Sequence, residues 1–198
     1  MSLWRLIPAR DFRPMPWRNG GGTTWEITRG RVDGRVQGPS DSDWHWRFSL
    51  AEIAADGPFS AFPHKDRLLT VVRGEGIRLT IDGGEPRRLG LGDCIQFEGE
   101  AAIGCKLVAG PTRDLNLMVD RRVARLVPGG EERRIAAEED DTIVLYALEE
   151  VVLRVAAERL VVGAGDAIVW NSGEVLGAKA EIERGRAVWA RVARLAAP

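Results

Sequence analysis

Three consecutive glycines stand between an Arg-Asn pair and a Thr-Thr pair in the segment PWRNGGGTTWE, residues 16–26. Glycine reaches backbone dihedral angles that are closed to other residues and lets another group approach the main chain closely. A run of three with polar flanks therefore predicts a bend that lies against a second group, and a bound ligand there would meet Arg18, Asn19, Thr23 and Thr24. A tight turn between two strands is the alternative, and the pattern leaves both open.

Histidine and cysteine, the residue types most used for metal binding and nucleophilic catalysis, are scarce in this chain. Its two histidines, His45 and His64, are 19 residues apart, and neither belongs to a His-x-His pair. A transition-metal site built on imidazole needs further nitrogen or carboxylate donors in a converging pattern. We therefore expect no bound metal and no other cofactor. His64 follows Pro63 at a predicted loop-to-strand step and is a better site candidate than His45, which lies between two tryptophans.

The charge and hydropathy of the chain exclude several classes of partner. Its 28 lysines and arginines nearly balance its 29 aspartates and glutamates, and no basic block appears, so we expect no nucleic-acid partner. No stretch has the length of a membrane span, and the first residues lack a signal-peptide-like apolar run. We expect a soluble, cytoplasmic protein without a membrane partner. Cys94 and Cys105 are then expected to be reduced thiols.

Short strands are predicted along most of the chain, and they must position the candidate site residues. In residues 44–53, Trp46 and Phe48 alternate with Arg47 and Ser49, which is the period of a strand. Such strands with Gly and Pro between them predict an all-β sandwich or barrel, and a short helix over residues 131–139 is expected to bridge two halves. Further strands are predicted at residues 67–72, 76–81, 94–98, 103–109, 113–119, 142–147, 151–156, 159–162, 167–170 and 187–194.

A weak internal repeat indicates that the two halves are related. GLGDCIQFEGE at residues 90–100 aligns with GAGDAIVWNSGE at residues 163–174, about 73 residues later. Both segments have a Gly-x-Gly-Asp turn followed by an apolar strand, which favours duplication of a small β unit. We predict one β-barrel with the ligand pocket over residues 1–125 and a second, smaller barrel over residues 126–198.

Four segments together resemble the HutD family of bicupins, which includes Ves-type proteins. They are PWRNGGGTTWEI (16–27), WRFSLAEI (46–53), DGPFSAFPHKDRLLTVVRGEG (56–76) and RDLNLM (113–118). The resemblance implies an all-β bicupin fold, with two stacked cupin-like barrels of the jelly-roll type and very little helix. It also implies a protein without established catalytic activity that binds N-formyl-L-glutamate and limits flux through histidine utilisation. The chain has Pro63-His64-Lys65 where relatives often carry glycine before the Asp-Arg step.

A ligand such as N-formylglutamate, with two carboxylates and a formamide, needs arginines and amide or hydroxyl donors. The candidate arginines in the matching segments are those at positions 18, 47, 67 and 113. Strand alternation puts Asn116 on the face opposite Leu115 and Leu117, so we expect it to face the barrel mouth beside Arg47 and Ser49. The predicted ligand-binding residues are Arg18, Asn19, Thr23, Thr24, Arg47, Ser49, Phe59, Ser60, His64, Arg67 and Asn116.

Two other functions remain open from the residues. A metal-free cupin enzyme, acting as an isomerase, epimerase or lyase on a small carboxylate, would need an acid-base pair, and His64 with Glu26 or Asp66 is the candidate. No nucleophile elbow or phosphate loop supports other enzyme classes. A bicupin that serves a structural role or binds a partner, with a homodimer formed through edge strands or barrel faces, is the third interpretation.

Overall fold

The computed structural model describes residues 4–17, 21–32, 44–138, 140–155, 157–171 and 180–195. The regular elements in these residues are strands, with one short 3-10 helix at Ala9–Asp11, and no helix among them could span a membrane. The predicted all-β fold is confirmed. The strands are β1 (Trp4–Ile7), β2 (Arg13–Pro16), β3 (Gly22–Gly30), β4 (Trp46–Ile53), β5 (Gly57–Pro58), β6 (Lys65–Arg73), β7 (Ile77–Ile81), β8 (Arg87–Leu89), β9 (Cys94–Glu98), β10 (Ile103–Leu107), β11 (Thr112–Asp120), β12 (Ala124–Gly130), β13 (Arg134–Ile135), β14 (Thr142–Ala147), β15 (Val151–Val155), β16 (Glu158–Val162), β17 (Ala167–Asn171), β18 (Ala180–Arg184) and β19 (Ala187–Arg194).

The first unit consists of residues 13–29 and 46–122. A six-stranded sheet in the order β2-β3-β4-β11-β6-β9 and a four-stranded sheet in the order β5-β10-β7-β8 enclose its core. Alternation along each strand turns one set of side chains inward, because successive residues point to opposite faces of a sheet. The inward set that forms the apolar core is Ile53, Leu69, Val71, Ile77, Leu79, Leu89, Ile95, Phe97, Ile103 and Cys105.

The second unit consists of the described parts of residues 1–12, 30–45 and 123–198. Its sheets have the orders β1-β17-β14-β19-β12 and β13-β18-β15-β16, and its core is apolar, with Ile143, Leu145, Trp170 and Trp189 among its members. Val123 begins the last of its three segments. The N-terminal strand β1 pairs with β17 and so belongs to this unit.

The two Gly-x-Gly-Asp segments form the same turn in both units. In the first unit, Val71 N–H donates to the Asp93 carbonyl and Gly92 N–H donates to the Val71 carbonyl. In the second unit, Ala147 and Asp166 take the places of Val71 and Asp93, and Gly165 N–H donates to the Ala147 carbonyl. The second glycine of each turn, Gly92 or Gly165, has a positive φ angle, of 85° and 87° respectively, which favours glycine. The repeat seen in the sequence is therefore a repeat of backbone geometry.

The helix predicted over residues 131–139 is absent from the described part of that segment, so the prediction is wrong. Arg134–Ile135 form β13, which pairs with β18, and Ile135 is buried in the core of the second unit. Glu131 accepts hydrogen bonds from Arg186 at 2.9 and 3.0 Å instead of lying on a helix surface. Packing of one isoleucine and pairing with other strands outweigh the local helical preference of a polar segment.

The bend at the glycine cluster lies against strand β4. The carbonyl of Gly21 accepts a hydrogen bond of 2.9 Å from Ala54 N–H, and the Gly22 carbonyl accepts one of 3.0 Å from Trp17 N–H. A Cβ atom at Gly22 would lie 2.1 Å from the Glu52 carbonyl oxygen. The predicted close approach is therefore to the main chain of the protein itself. Arg18, Asn19 and Gly20 lie outside the described residues.

Replacing Gly22 by alanine is expected to destabilise the first unit, because the added methyl group overlaps the Glu52 carbonyl and the main chain must shift. We expect a loss of about 1–3 kcal/mol in the free energy of unfolding, measured by chemical denaturation. Gly57→Ala is the matched control, since nothing lies within 4 Å of its added Cβ. Equal stability of Gly22→Ala and the wild type would show that the close approach to β4 is unimportant.

Candidate functional site

Strand β11 runs through the middle of the six-stranded sheet and sets the positions of the polar residues. It pairs with β4 on one side and β6 on the other, so that Met118 lies opposite both Arg47 and Arg67. The next strand, β9, places Phe97 opposite Arg67. Arg47 and Arg67 therefore lie on one row across the sheet, on the face that carries the apolar core. These two arginines, with Asn116 and Asp114 on the same face of β11, are called the polar row. Arg67 is buried, with 5% of its surface exposed.

A chain of hydrogen bonds links three inward-facing residues of β6 and β11. Arg67 Nη2 donates to Asn116 Oδ1 at 2.8 Å, and Asn116 Nδ2 donates to Asp114 Oδ2. Asn116 lies opposite Ser49 and Leu69, and Asp114 lies opposite Val71. The amide of Asn116 thus has a defined orientation, with its oxygen toward the guanidinium and its nitrogen toward the carboxyl group.

Three phenylalanine rings surround the guanidinium group of Arg67. Its central carbon lies 4.9 Å from the ring centre of Phe97, 5.4 Å from that of Phe62 and 5.5 Å from that of Phe59. The guanidinium of Arg47 lies 5.2 Å from the same Phe62 ring. Rings at these distances attract cations and exclude water. The loop that carries Phe59 and Phe62 is fixed by hydrogen bonds from its main chain to β10 and to the turn after β9.

Glu26 brings a carboxylate to the same side of the sheet. Trp25 lies 5.2 Å from the guanidinium of Arg113, on the other face of the sheet, so alternation along β3 turns its neighbour Glu26 to the face of Arg47. Glu26 is buried and lies 3.7 Å from Arg29 Nη1. Its negative charge also acts on Arg47.

Burial shifts the titration of the charged groups. Desolvation lowers the pKa of Arg67 to about 10, opposed by the charge of Asp114 and reinforced by that of Arg47. Desolvation also lowers the pKa of Arg47, opposed by Glu26. For Asp114, desolvation raises the pKa to about 7, although Arg67 and the Asn116 hydrogen bond both act to lower it. Near neutral pH the two guanidinium groups stay charged while Asp114 is only partly ionised.

The structure brings together one part of the predicted site. Arg47, Ser49, Arg67 and Asn116 share the inward face, as the alternation of β4 and β11 predicts, and Phe59 covers Arg67. Ser60 takes part through its carbonyl oxygen, which accepts a 3.3 Å hydrogen bond from Arg67 Nη1.

Other predicted residues have different surroundings. Thr24 Oγ1 accepts a hydrogen bond of 2.8 Å from Trp17 Nε1, and its neighbour Thr23 falls on the opposite face of β3. His64 is exposed and its main-chain N–H donates to Glu100 Oε1. Arg113 is held by Glu52 at 2.8 Å, away from the polar row. The roles predicted for Arg18 and Asn19 fall outside the described residues.

Asp114 is the buried polar residue that the sequence reasoning missed as part of the site. It has 1% of its surface exposed, and its Oδ1 has no hydrogen-bond partner among the described residues. Its position two residues before Asn116, on the same face of a strand, was the available signal.

An open cavity lies beside Phe97, the ring that contacts Arg67. Among the described residues, no three His, Cys, Asp or Glu side chains are grouped so that they would hold a metal ion. An open cavity of about 420 Å³ is lined by residues that include Asp82, Phe97, Glu98 and Glu100. Its three carboxylates disfavour an anionic ligand there.

The second unit provides an internal comparison for the polar row. The shared turn geometry aligns β6 with β14 and β11 with β19, and the pairing of Arg67 with Phe97 recurs as that of Ile143 with Trp170. At the positions of Arg67, Asn116 and Asp114 the second unit has apolar residues, whereas its counterpart of Met118 is Arg191, which is paired with Asp141 at 2.8 Å. The counterparts of Arg67, Asn116 and Asp114 are Ile143, Trp189 and Ala187, respectively.

Comparison with known proteins gives a consistent family assignment. The family model described as HutD matches residues 9–190. The solved structure of HutD from Pseudomonas fluorescens SBW25, in a formate condition, is 30% identical with a TM-score of 0.78, over 98% of this chain and 100% of that chain.

Two further relatives match over a shorter length. A Pseudomonas putida protein described as an uncharacterized 21.2 kDa protein in the hutC 3′ region is 42% identical over 118 residues, which are 60% of this chain and 59% of that protein. The protein Ves of Citrobacter koseri is 35% identical over 115 residues, 56% of each chain. The chain thus spans less than two thirds of the length of these two relatives.

Replacing Arg67 by methionine is expected to raise the pKa of Asp114 above about 7, because the guanidinium charge stabilises the Asp114 carboxylate. Titration of the side-chain carboxyl carbons by nuclear magnetic resonance measures this shift. Arg125→Met, on an exposed position of β12, is the control and should leave Asp114 unchanged. An unchanged or lower pKa in Arg67→Met would contradict the electrostatic link between the two residues.

Proposed function

Because the chain belongs to the HutD family, we propose that it is a metal-independent binding protein for a small carboxylate. The proposed ligand is N-formyl-L-glutamate, and the proposed role is modulation of histidine utilisation. The observation that carries this proposal is the pair of guanidinium groups of Arg47 and Arg67 on one row of the first unit, both in contact with Phe62. The name of the Pseudomonas putida relative, which refers to hutC, supports the metabolic context.

The balance of charge favours an anionic ligand. The positive charge of Arg29 lowers the pKa of Arg47, and the positive charge of Arg47 lowers the pKa of Arg67. Like charges are therefore held close together. Glu26 is shared with Arg29, and Asp114 is only partly ionised near neutral pH. The site therefore carries excess positive charge in a poorly solvated environment, where a ligand carboxylate gains more than it would in water.

The hydrogen-bonding capacity of Arg67 leaves room for a carboxylate. Its Nε has no acceptor among the described residues although it is buried, and its Nη1 makes a long bond of 3.3 Å to the Ser60 carbonyl. A carboxylate that approaches from the side of Arg47, the more exposed of the two arginines, would replace this weak contact with charged hydrogen bonds. Arginine binds carboxylates bidentately, so one ligand carboxylate matches this geometry.

The same charges select among ligands of similar size. Glutamate differs from N-formylglutamate by a free ammonium group, which two neighbouring guanidinium groups repel. Formylation removes that positive charge and adds a carbonyl oxygen, a hydrogen-bond acceptor suited to arginine donors. The site is therefore expected to prefer the N-formylated compound over the free amino acid, with like-charge repulsion as the element that rejects glutamate.

N-formyl-L-glutamate at millimolar concentration is expected to raise the melting temperature of the protein, because a ligand bound to the native state stabilises it. At about one hundred times its Kd it adds about 2.7 kcal/mol, or roughly 5–10 °C for a chain of this length. Thermal shift measurements with glutamate, urocanate and formate complete the panel, and glutamate should give a smaller shift. A melting curve that none of the four compounds moves would overturn the proposed function.

Arg67→Lys tests whether the site recognises a carboxylate through a guanidinium fork. Lysine keeps the positive charge but loses the planar pair of donors, so we expect the affinity for N-formylglutamate to fall about tenfold or more, a difference of about 1.4 kcal/mol. Isothermal titration calorimetry gives the Kd. Arg125→Lys is the matched control and should bind like the wild type, and an unaltered Kd in Arg67→Lys would place the ligand elsewhere.

A further inference from the structure

Asp114 is a buried acidic residue in a site whose ligand is an anion, and this calls for a physical reason. It lies on the inward face of β11 with 1% of its surface exposed. Its Oδ2 accepts a hydrogen bond from Asn116, which in turn accepts one from Arg67. Its Oδ1 has no partner among the described residues. A carboxylate placed so close to Arg67 competes with any ligand carboxylate for the same positive charge.

We propose that Asp114 positions Arg67 through Asn116 and that binding of the anionic ligand is coupled to uptake of one proton by Asp114. This inference rests on the proposed function of the site. The proton comes from solvent and no covalent bond of the ligand changes. In the ligand-free protein the Asp114 carboxyl group is partly protonated near neutral pH, and in the complex it is fully protonated and neutral.

The hydrogen-bond geometry allows the charge to change without loss of the positioning role. A proton on Oδ1, the oxygen that accepts no hydrogen bond from the described residues, leaves Oδ2 as the acceptor for the Asn116 amide. Asn116 then keeps its oxygen toward Arg67 in both charge states. The orientation of the guanidinium is therefore maintained while the competing negative charge is removed.

The electrostatics of the site give the sign of the coupling. Arg67 is the group that stabilises the ionised form of Asp114 against its desolvation, and the pKa of Asp114 is about 7 under these opposing influences. A ligand carboxylate on Arg67 offsets that stabilising charge and adds a negative charge nearby. Both effects disfavour ionised Asp114, so the protonated form binds the ligand more tightly and the affinity falls as the pH rises through about 7.

The other groups that face Asp114 do not supply this pH dependence. Arg67 on β6 and Arg47 on β4 stay protonated, because arginine remains charged near neutral pH. Burial raises the pKa of Cys105 on β10 to about 12, so its thiol stays neutral. Glu26 on β3 is paired with Arg29. His64, in the loop before β6, is exposed.

Calorimetric titration of the full chain with N-formyl-L-glutamate tests the coupling. For the wild type, we expect the Kd to weaken by about tenfold between about pH 6 and pH 8 if the ionised form does not bind. Titrations in buffers of different ionisation enthalpy should show close to one proton taken up at the higher pH and almost none at the lower. In Asp114→Asn the Kd should change by less than about twofold over the same range.

Two matched control variants, together with the wild type, distinguish failure of the proton coupling from failure of the proposed function. His64→Asn and Asp11→Asn, the latter exposed and outside the site, should keep the pH dependence of the wild type. A pH-independent Kd without proton uptake in the wild type, or a pH dependence that survives in Asp114→Asn, would overturn this inference and leave the proposed function intact. Absence of binding at every pH would overturn the proposed function and this inference with it. If Asp114→Asn does not fold, proton uptake by the wild type still decides.

Discussion

Burial of the Arg67 guanidinium among apolar and aromatic side chains is the interaction on which the site depends. Removing a charge from water costs several kcal/mol unless neighbours compensate for it. Here the compensation comes from the Asn116 amide, the partly ionised Asp114 and three phenylalanine rings. It is incomplete, because Arg47 adds a second positive charge close by. The proposed binding of an anion rests on this remaining positive charge.

Strand β11 connects this electrostatic arrangement to the fold. Its pairing with β4 and β6 places Arg47, Met118 and Arg67 on one row, with Asn116 on the next. A shift of one residue in this register would turn the polar side chains to the other face of the sheet. The equivalent row of the second unit consists of Val127, Arg191 and Ile143, so that one arginine, paired with Asp141, stands there in place of two. The polar row is thus a specialisation of one unit within a duplicated framework.

The glycine cluster contributes to the site indirectly. Gly21 and Gly22 let β3 approach the end of β4, with the Gly22 position too close to the Glu52 carbonyl for any side chain. This approach holds the start of β3 against the end of β4. The glycine cluster, which suggested a ligand cradle, therefore serves in the described residues to pack β3, which carries Glu26, against β4, which carries Arg47.

The sequence by itself determined the strands of high alternation, the repeated Gly-x-Gly-Asp turn, the family, and the inward face shared by Arg47, Ser49, Arg67 and Asn116. These follow from local rules, since the period of a strand and the dihedral angles of a turn depend on neighbouring residues. The tertiary structure decided that residues 134–135 form a strand, that Thr24 binds Trp17, and that Asp114 belongs to the site. Each of these depends on register and burial between segments far apart in the chain, and no local pattern specifies which distant residue will supply the partner.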